Sequence, residues 1–124
     1  MKKTGNKKWI IPGVHIPLKS TGREPEMVSQ DRIAILNLHT GPVKIRLTVY
    51  QTRMEPVSGY NLEIQGQRLK KIRINDLIDP YPLYLETDYA LLIEADREVA
   101  IQFLRMNTGY GSAAIMGTMG YGTD

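Results

Sequence analysis

Polar side chains are concentrated in residues 73–80 of the sequence and in the segment 86–89 that follows. Four of them can donate or accept hydrogen bonds at one site, and they are Arg73, Asn75, Asp76 and Asp88. A guanidinium, an amide and carboxylates are groups that can orient a polyhydroxylated ligand. An aromatic ring such as that of Trp9 or Tyr89 would supply an apolar platform. This composition indicates binding of a small polar molecule, without identifying it.

The same stretch also has a purely structural interpretation. The side chains of Asn75 and Asp76 can accept hydrogen bonds from nearby backbone N–H groups, and the proline after Asp79 holds that residue extended. In that case the stretch holds a turn at the end of a strand and binds nothing. Trp9 likewise has two interpretations, as a platform for a ligand or as a residue of the hydrophobic core. Both interpretations remain open at the level of the sequence.

The sequence lacks the parts of a recognisable catalytic centre. It contains no cysteine, which excludes a thiolate nucleophile and a cysteine-ligated metal. His15 and His39 lie in no metal-ligand motif, and no serine has a recognisable positioned base. Residues 109–114 match the glycine pattern of a dinucleotide-binding turn, but only ten residues follow, too few for the rest of that motif. We therefore expect a protein that is not an enzyme and needs no cofactor or metal.

Alternating strands are predicted to position the candidate side chains. Apolar residues occupy every second position from Val43 to Val49, which is typical of a half-buried antiparallel strand. Similar patterns predict strands at 33–38, 60–64, 68–74, 89–95 and 99–106. Residues 113–119 are predicted to form an edge strand or a mobile tail. Residues 80–85 contain two prolines and are predicted to form an extended loop.

Two details of strand pairing are also predicted. The turn residues of segment 39–42 predict a hairpin between strand 33–38 and strand 43–50. In strand 68–74, Leu69 is out of phase with the other apolar residues of the strand. A β-bulge near Lys70 would bring both halves of that strand onto one face.

Short strands with turn signals at intervals of about eight to twelve residues predict an all-β protein, a compact antiparallel β-sandwich of about eight strands. Residues 1–8 are predicted to form a flexible basic tail, and residues 9–124 a single sandwich domain. The segment 90–93 and much of the segment 99–104 are apolar on both faces. Such strands indicate an outer face covered by another subunit, so a homo-oligomer is expected.

The N-terminus does not predict a signal peptide. The apolar run that begins at Trp9 stops at Pro12, and no apolar run approaches the about 20 residues of a membrane span. We therefore expect a soluble cytoplasmic protein.

Basic residues raise nucleic-acid binding as an alternative function, although the net charge is only +3. A basic stripe would form if two predicted strands lay side by side, and its residues would be Lys44, Arg46, Lys70 and Lys71. Such a stripe is the electrostatic footprint expected for DNA. An ordinary charged outer face is the competing interpretation, because acidic residues such as Glu63 and Glu94 lie on the same predicted strands.

One motif is specific enough to suggest a family. It is the run Arg-x-Asn-Asp-Leu-x-Asp-Pro at residues 73–80. Weaker motifs accompany it, namely Trp9 with Gly13, Ile16-Pro17, Glu24-Pro25, Ile35-Leu36-Asn37, Glu55-Pro56, Arg68, Thr87-Asp88-Tyr89, Gln102 and Arg105. Over roughly residues 8–121 the sequence resembles the bacterial sensory rhodopsin transducer family.

The resemblance implies a soluble, non-catalytic β-sandwich that assembles as a homotetramer. It implies binding of a carbohydrate or related metabolite, and it adds Gln102 and Arg105 to the candidate ligand site. It also implies a membrane photoreceptor as a partner, and association with DNA as another possibility. Members close to the rhodopsin partner tend to carry Gln-His-Thr-Arg-Leu-Asp where this chain has Phe103 and Asn107 at the His and Asp positions. This difference argues against a rhodopsin photoreceptor as the partner more than it argues against the fold.

Overall fold

The computed structural model describes residues 5–15, 30–74, 77, 88–107, 114–119 and 121–123. Its described elements are eight strands, and all pairings between them are antiparallel. They are β1 (Asn6–His15), β2 (Gln30–Asn37), β3 (Val43–Gln51), β4 (Val57–Ile64), β5 (Arg68–Arg73), β6 (Asp88–Asn107), β7 (Ala114–Met119) and β8 (Tyr121–Thr123). In the described part of the chain, no helix is long and apolar enough to cross a membrane.

Strand β6 is the centre of the fold, because its 20 residues belong to two sheets. The first half pairs with β1 and β3 in a first sheet of order β4-β3-β6-β1-β8. The second half pairs with β2 and β7 in a second sheet, which β5 extends beyond β2. The sequence predicted two strands here, separated at residues 96–98. The backbone instead stays extended through that segment while it passes from one sheet to the other.

The inward faces of the two sheets enclose one hydrophobic core. In β3 the predicted alternation is present, with inward residues such as Leu47 fully buried and Lys44 and Arg46 exposed. Ile33 contributes to the core from the second sheet. Full burial of one aliphatic side chain of this size stabilises a fold by about 1.5–3 kcal/mol. The prediction of an all-β antiparallel sandwich is confirmed.

The predicted hairpin between the second and third strands is wrong. Strand β2 pairs with β5 and β6, whereas β3 pairs with β4 and β6. The connection at residues 38–42 therefore carries the chain from one sheet to the other. The side chain of Asn37 holds this corner, since its Nδ2 lies within 3.1 Å of three backbone carbonyl oxygens from two connections.

The predicted β-bulge in β5 is also wrong. The β2–β5 ladder keeps one register from Arg32 opposite Arg73 to Asn37 opposite Arg68. Leu69 is out of phase because it faces outward, where its side chain is 57% exposed. It lies directly opposite another exposed leucine on β2, so the outer face of the second sheet is partly apolar.

The predicted basic tail is shorter than residues 1–8, because β1 begins at Asn6. Asn6 pairs with Val99, and Lys8 pairs with Glu94 in the middle of β6. Gly5 precedes the strand with φ +89°, and a Cβ at this position would meet the carbonyl group of Val99. Only glycine adopts this conformation at so close an approach without strain. The strand is therefore anchored from its first residue.

Candidate functional site

The predicted site residues Asn75 and Asp76 lie outside the residues that the structure describes. Trp9, the predicted stacking platform, lies in the core and is 5% exposed. Its indole Nε1–H donates to the carbonyl oxygens of Asn6 and Val99 at 3.1 and 3.0 Å. Both the ring and its polar atom are therefore used within the fold, as expected of a buried tryptophan.

Arg105 and Asp31 form a two-point ion pair at one end of the sandwich. The two residues are cross-strand neighbours on β6 and β2. Arg105 Nε and Nη2 donate to the two carboxylate oxygens of Asp31 at 3.0 and 3.1 Å. Asp31 is only 1% exposed, whereas the Arg105 side chain is 34% exposed. The guanidinium carbon also lies 5.7 Å from the centre of the Phe103 ring, within cation–π distance.

The same guanidinium joins the two sheets. Arg105 Nη2 donates to the carbonyl oxygen of Gly13 at 2.7 Å, where β1 has a register irregularity against β6. Gly13 belongs to the first sheet, and Asp31 belongs to the second. We call these three residues the clasp. The hydrogen bond to Asp31 raises the pKa of Arg105 despite the opposing effect of partial burial, and the charges of Asp31 and Asp88 raise it further. The guanidinium therefore stays protonated while the protein is folded.

The electrostatic effect of Asp88 on Arg105 has a structural cause. The two residues lie near opposite ends of β6, but the strand passes from one sheet to the other and brings its ends together. The structure thus places two of the predicted site residues at the same end of the sandwich. A straight strand would hold them about 56 Å apart at about 3.3 Å per residue.

A small pocket of about 210 Å³ borders β1 at Pro12, the residue before Gly13 of the clasp. It is lined by Pro12, Tyr50, Gln51, Thr52, Asp88, Tyr89 and Ala90. The Tyr50 ring is exposed on the outer face of β3, and the side chains of Asp88 and Thr52 are also exposed. Tyr89, the other predicted platform, lines the pocket but is almost entirely buried. We call this site the Tyr50 pocket.

The Tyr50 pocket combines groups suited to a small polar ligand. A partly exposed aromatic ring can cover an apolar face, while a carboxylate, a hydroxyl and an amide provide hydrogen bonds. Alternation along β3 places Tyr50 on the outward side of its strand, but Tyr50 is not among the site residues predicted from the sequence. An aromatic residue at an outward position, next to the strand end, was the available signal.

Arg73 and Gln102 do not join this site. Strand alternation places them on the outer face of the second sheet, where Arg73 pairs with Arg32 and Gln102 pairs with Ala34. Arg105 projects inward from the same sheet, like Phe103 two residues earlier. Of the predicted ligand-binding residues that the structure describes, Asp88 lines the Tyr50 pocket, and Arg105 is close enough to Asp88 for that charge to raise its pKa.

The predicted basic stripe does not form. Lys44 and Arg46 lie on β3 in the first sheet, whereas Lys70 and Lys71 lie on β5 in the second, so their strands are not neighbours. A shallow groove of about 570 Å³ surrounds the first pair, but acidic residues line it as well. In this groove, Arg46 Nη2 lies 3.4 Å from Glu94 Oε1. The positive charge of this surface is therefore largely compensated locally.

No cluster of side chains suited to a metal ion occurs among the described residues.

The sequence model of the Anabaena sensory rhodopsin transducer family matches residues 4–122. The chain belongs to this family.

Two solved structures share this fold. The crystal structure of Thermotoga maritima 1070 superposes with a TM-score of 0.83 at 26% identity, covering 98% of this chain and 97% of that one. The Anabaena sensory rhodopsin transducer superposes with a TM-score of 0.74 at 32% identity, covering 82% of this chain and 89% of that one. No curated protein matches the chain significantly. The family resemblance inferred from the sequence is confirmed.

Proposed function

We propose that this chain is a non-catalytic sensor and signal-transducing adaptor that binds a small polyhydroxylated metabolite, such as a sugar, in the Tyr50 pocket. The observation that carries this proposal is the exposed Tyr50 ring in the same pocket as the exposed carboxylate of Asp88. The ring would cover a C–H face of the sugar, and the carboxylate would accept hydrogen bonds from its hydroxyl groups.

Charge favours a neutral ligand over an anionic one. Asp31 already neutralises Arg105 through two hydrogen bonds, and Asp88 adds a further negative charge near the guanidinium. A phosphate or carboxylate ligand would be repelled by that carboxylate, whereas hydroxyl groups can donate to it.

Ligand binding is expected to depend on Tyr50 and Asp88. A sugar that binds the folded chain should stabilise it by about 2.7 kcal/mol at a hundredfold excess over Kd, which thermal unfolding measures. Asp88→Asn should weaken binding about tenfold through loss of charge-assisted hydrogen bonds, and Tyr50→Ala about fivefold. Calorimetric titration gives the affinities directly.

The matched control for this experiment is Tyr121→Ala, which removes another exposed tyrosine outside the pocket and should leave monosaccharide affinity unchanged. If Tyr50→Ala and Asp88→Asn bind as well as the wild type, the ligand site lies elsewhere. If no monosaccharide or polyol stabilises the chain at millimolar concentration, the sugar proposal fails.

The adaptor role rests on family membership and on the name of the Anabaena neighbour, a sensory rhodopsin transducer. By analogy, we propose that this chain acts in the cytoplasm and passes its ligand state to another protein, with a membrane photoreceptor as the first partner to test. Co-sedimentation of the chain with photoreceptor-containing membranes, in light and in darkness, would test that step. Equal recovery with receptor-free membranes would count against it.

Self-association, as a homotetramer, is the second part of the proposal. Leu36 and Leu69 form an exposed cross-strand pair on the outer face of the second sheet, and the exposed Leu38 lies beyond them. Leu104 continues this face on β6, beside Arg32. The face is only partly apolar, because Arg73 and Gln102 also lie on it, but its exposed leucines are stabilised when a second copy covers them.

Light scattering should give the mass of four chains for the wild type and a lower mass for Leu69→Lys. The lysine would place a charge inside the proposed interface, at a cost of several kcal/mol. Met54→Lys alters another exposed apolar residue, in the β3–β4 connection, and should leave the mass unchanged. A monomeric wild type would contradict self-association.

A further inference from the structure

The outer face of the first sheet carries an apolar row that extends away from the Tyr50 pocket. Three of its residues are cross-strand neighbours in one register, and they are Tyr121 on β8, Ile10 on β1 and Leu92 on β6. Tyr121 is 68% exposed, Ile10 is also exposed, and Leu92 is partly exposed. The row thus ends in a second exposed tyrosine on the face that carries Tyr50.

The two tyrosines are too far apart to contact one small ring. Tyr50 is on β3 and Tyr121 is on β8, with β6 and β1 between them. Three strand spacings separate them by about 14 Å across the sheet. Tyr50 also lies opposite Ala90, which is two residues from Leu92 along β6. The tyrosines therefore mark two ends of a diagonal path over a floor of Ile10 and Leu92.

A charged row borders this path. Lys8, Glu94 and Arg46 are cross-strand neighbours in the next register of the same face. Arg46 and Glu94 are 3.4 Å apart, and both keep exposed polar atoms. At the Tyr50 end, Asp88 supplies a further exposed carboxylate. The path therefore has an apolar floor, and positively and negatively charged side chains that form hydrogen bonds lie at its margins.

This combination suits a carbohydrate chain better than an apolar protein surface. Covering the face with an apolar partner would remove Lys8, Glu94 and Arg46 from water, and desolvating charges is costly. A chain of sugar rings instead presents C–H faces to the floor and hydroxyl groups to the charged margin. In the oligomer proposed above, the interface forms at the exposed leucines of the second sheet and does not include this face.

We propose that the ligand is a linear oligosaccharide that lies across the first sheet from Tyr50 to Tyr121. The inference rests on the proposed function, and it adds that Tyr121 forms a distal subsite that only longer ligands reach. Affinity then increases with the number of sugar units until the chain reaches Tyr121.

Calorimetric titration tests this proposal with glucose, mannose and N-acetylglucosamine. Each monomer is compared with its β-1,4-linked tetramer, and glucose is also compared with its α-1,4-linked tetramer, maltotetraose. The wild type should bind one of the tetramers about tenfold more tightly than its monomer. Tyr121→Ala should remove about five- to tenfold of the tetramer affinity and leave monomer affinity within about twofold. Tyr121→Phe keeps the aromatic ring and should retain the tetramer affinity.

The possible outcomes separate this inference from the function on which it rests. If monomers bind, tetramers bind no more tightly and Tyr121→Ala changes neither affinity, the proposed distal subsite is wrong. The proposed ligand site in the Tyr50 pocket is then unaffected. If no monomer or tetramer binds, both proposals fail. If Tyr121→Phe loses as much tetramer affinity as Tyr121→Ala, stacking on the ring is excluded.

Discussion

Replacing Arg105 with methionine should lower the free energy of unfolding by about 3 kcal/mol. The substitution removes two hydrogen bonds from the carboxylate of Asp31, which is 1% exposed and stays buried with its charge. Breaking a buried ion pair from one side costs about 3–5 kcal/mol, and the partial exposure of Arg105 places this case at the lower end. The substitution also removes the hydrogen bond to Gly13, one of the contacts between the two sheets. Urea unfolding followed by fluorescence of Trp9, the single tryptophan, measures the change.

Arg46→Met provides a matched control for this experiment. It removes another arginine that is paired across strands, but the Arg46 side chain is 59% exposed and its Nη2 lies 3.4 Å from the carboxylate of Glu94. Exposed pairs contribute about 0–1 kcal/mol, so the control should be nearly neutral. An equal loss for the two variants would show that the clasp is no more important than a surface pair.

A double-mutant cycle examines whether the clasp acts as a unit. Asp31→Asn removes the buried charge that the guanidinium of Arg105 pairs with, so the two substitutions disrupt the same two hydrogen bonds. The double variant should therefore be less destabilised than the sum of the single variants, by about 1 kcal/mol or more. Strict additivity would contradict the coupling of the two residues.

Strand positions could be predicted from the sequence because side-chain alternation depends only on local geometry. Val43–Gln51 illustrates this, since its inward residues are buried and its flanks carry turn residues. Sheet membership could not be predicted in the same way. Alternation tells which side chains face inward, but it does not tell which strands pair, and β6 pairs in two sheets at once. The hairpin error at residues 38–42 has this cause.

The candidate site was predictable only in part. The polar side chain of Asp88 and the family resemblance at Arg105 point to these two residues, but they come together because β6 passes between the sheets, which no local pattern reveals. Tyr50 was missed because its pocket is lined by residues of three different strands, which alternation along one strand does not bring together. Trp9 shares its side of β1 with the buried Ile11, so alternation favoured its place in the core.

Replacing Asn37 with alanine should lower the free energy of unfolding by about 3–4 kcal/mol. The side chain is fully buried, and its Nδ2 group is the donor to carbonyl oxygens of Gly41, Ile64 and Gln65. Its Oδ1 atom accepts a hydrogen bond from the backbone N–H of His39 at 2.9 Å. Each buried group left without its partner costs about 1–3 kcal/mol, and several lose theirs at once. Asn61→Ala alters an exposed asparagine on β4 and should change stability by less than about 0.5 kcal/mol.

Asn37→Asp separates hydrogen bonding from simple packing at this corner, because the aspartate has nearly the same shape as asparagine. It keeps an acceptor for the His39 N–H but replaces the donor with an oxygen that faces three carbonyl oxygens. If hydrogen bonding holds the corner, the aspartate variant should be at least as unstable as the alanine variant near neutral pH, despite its better fit. Urea unfolding of both variants at the same pH decides the order. An aspartate variant more stable than the alanine variant would mean that filling the space matters more than donating to the three carbonyls.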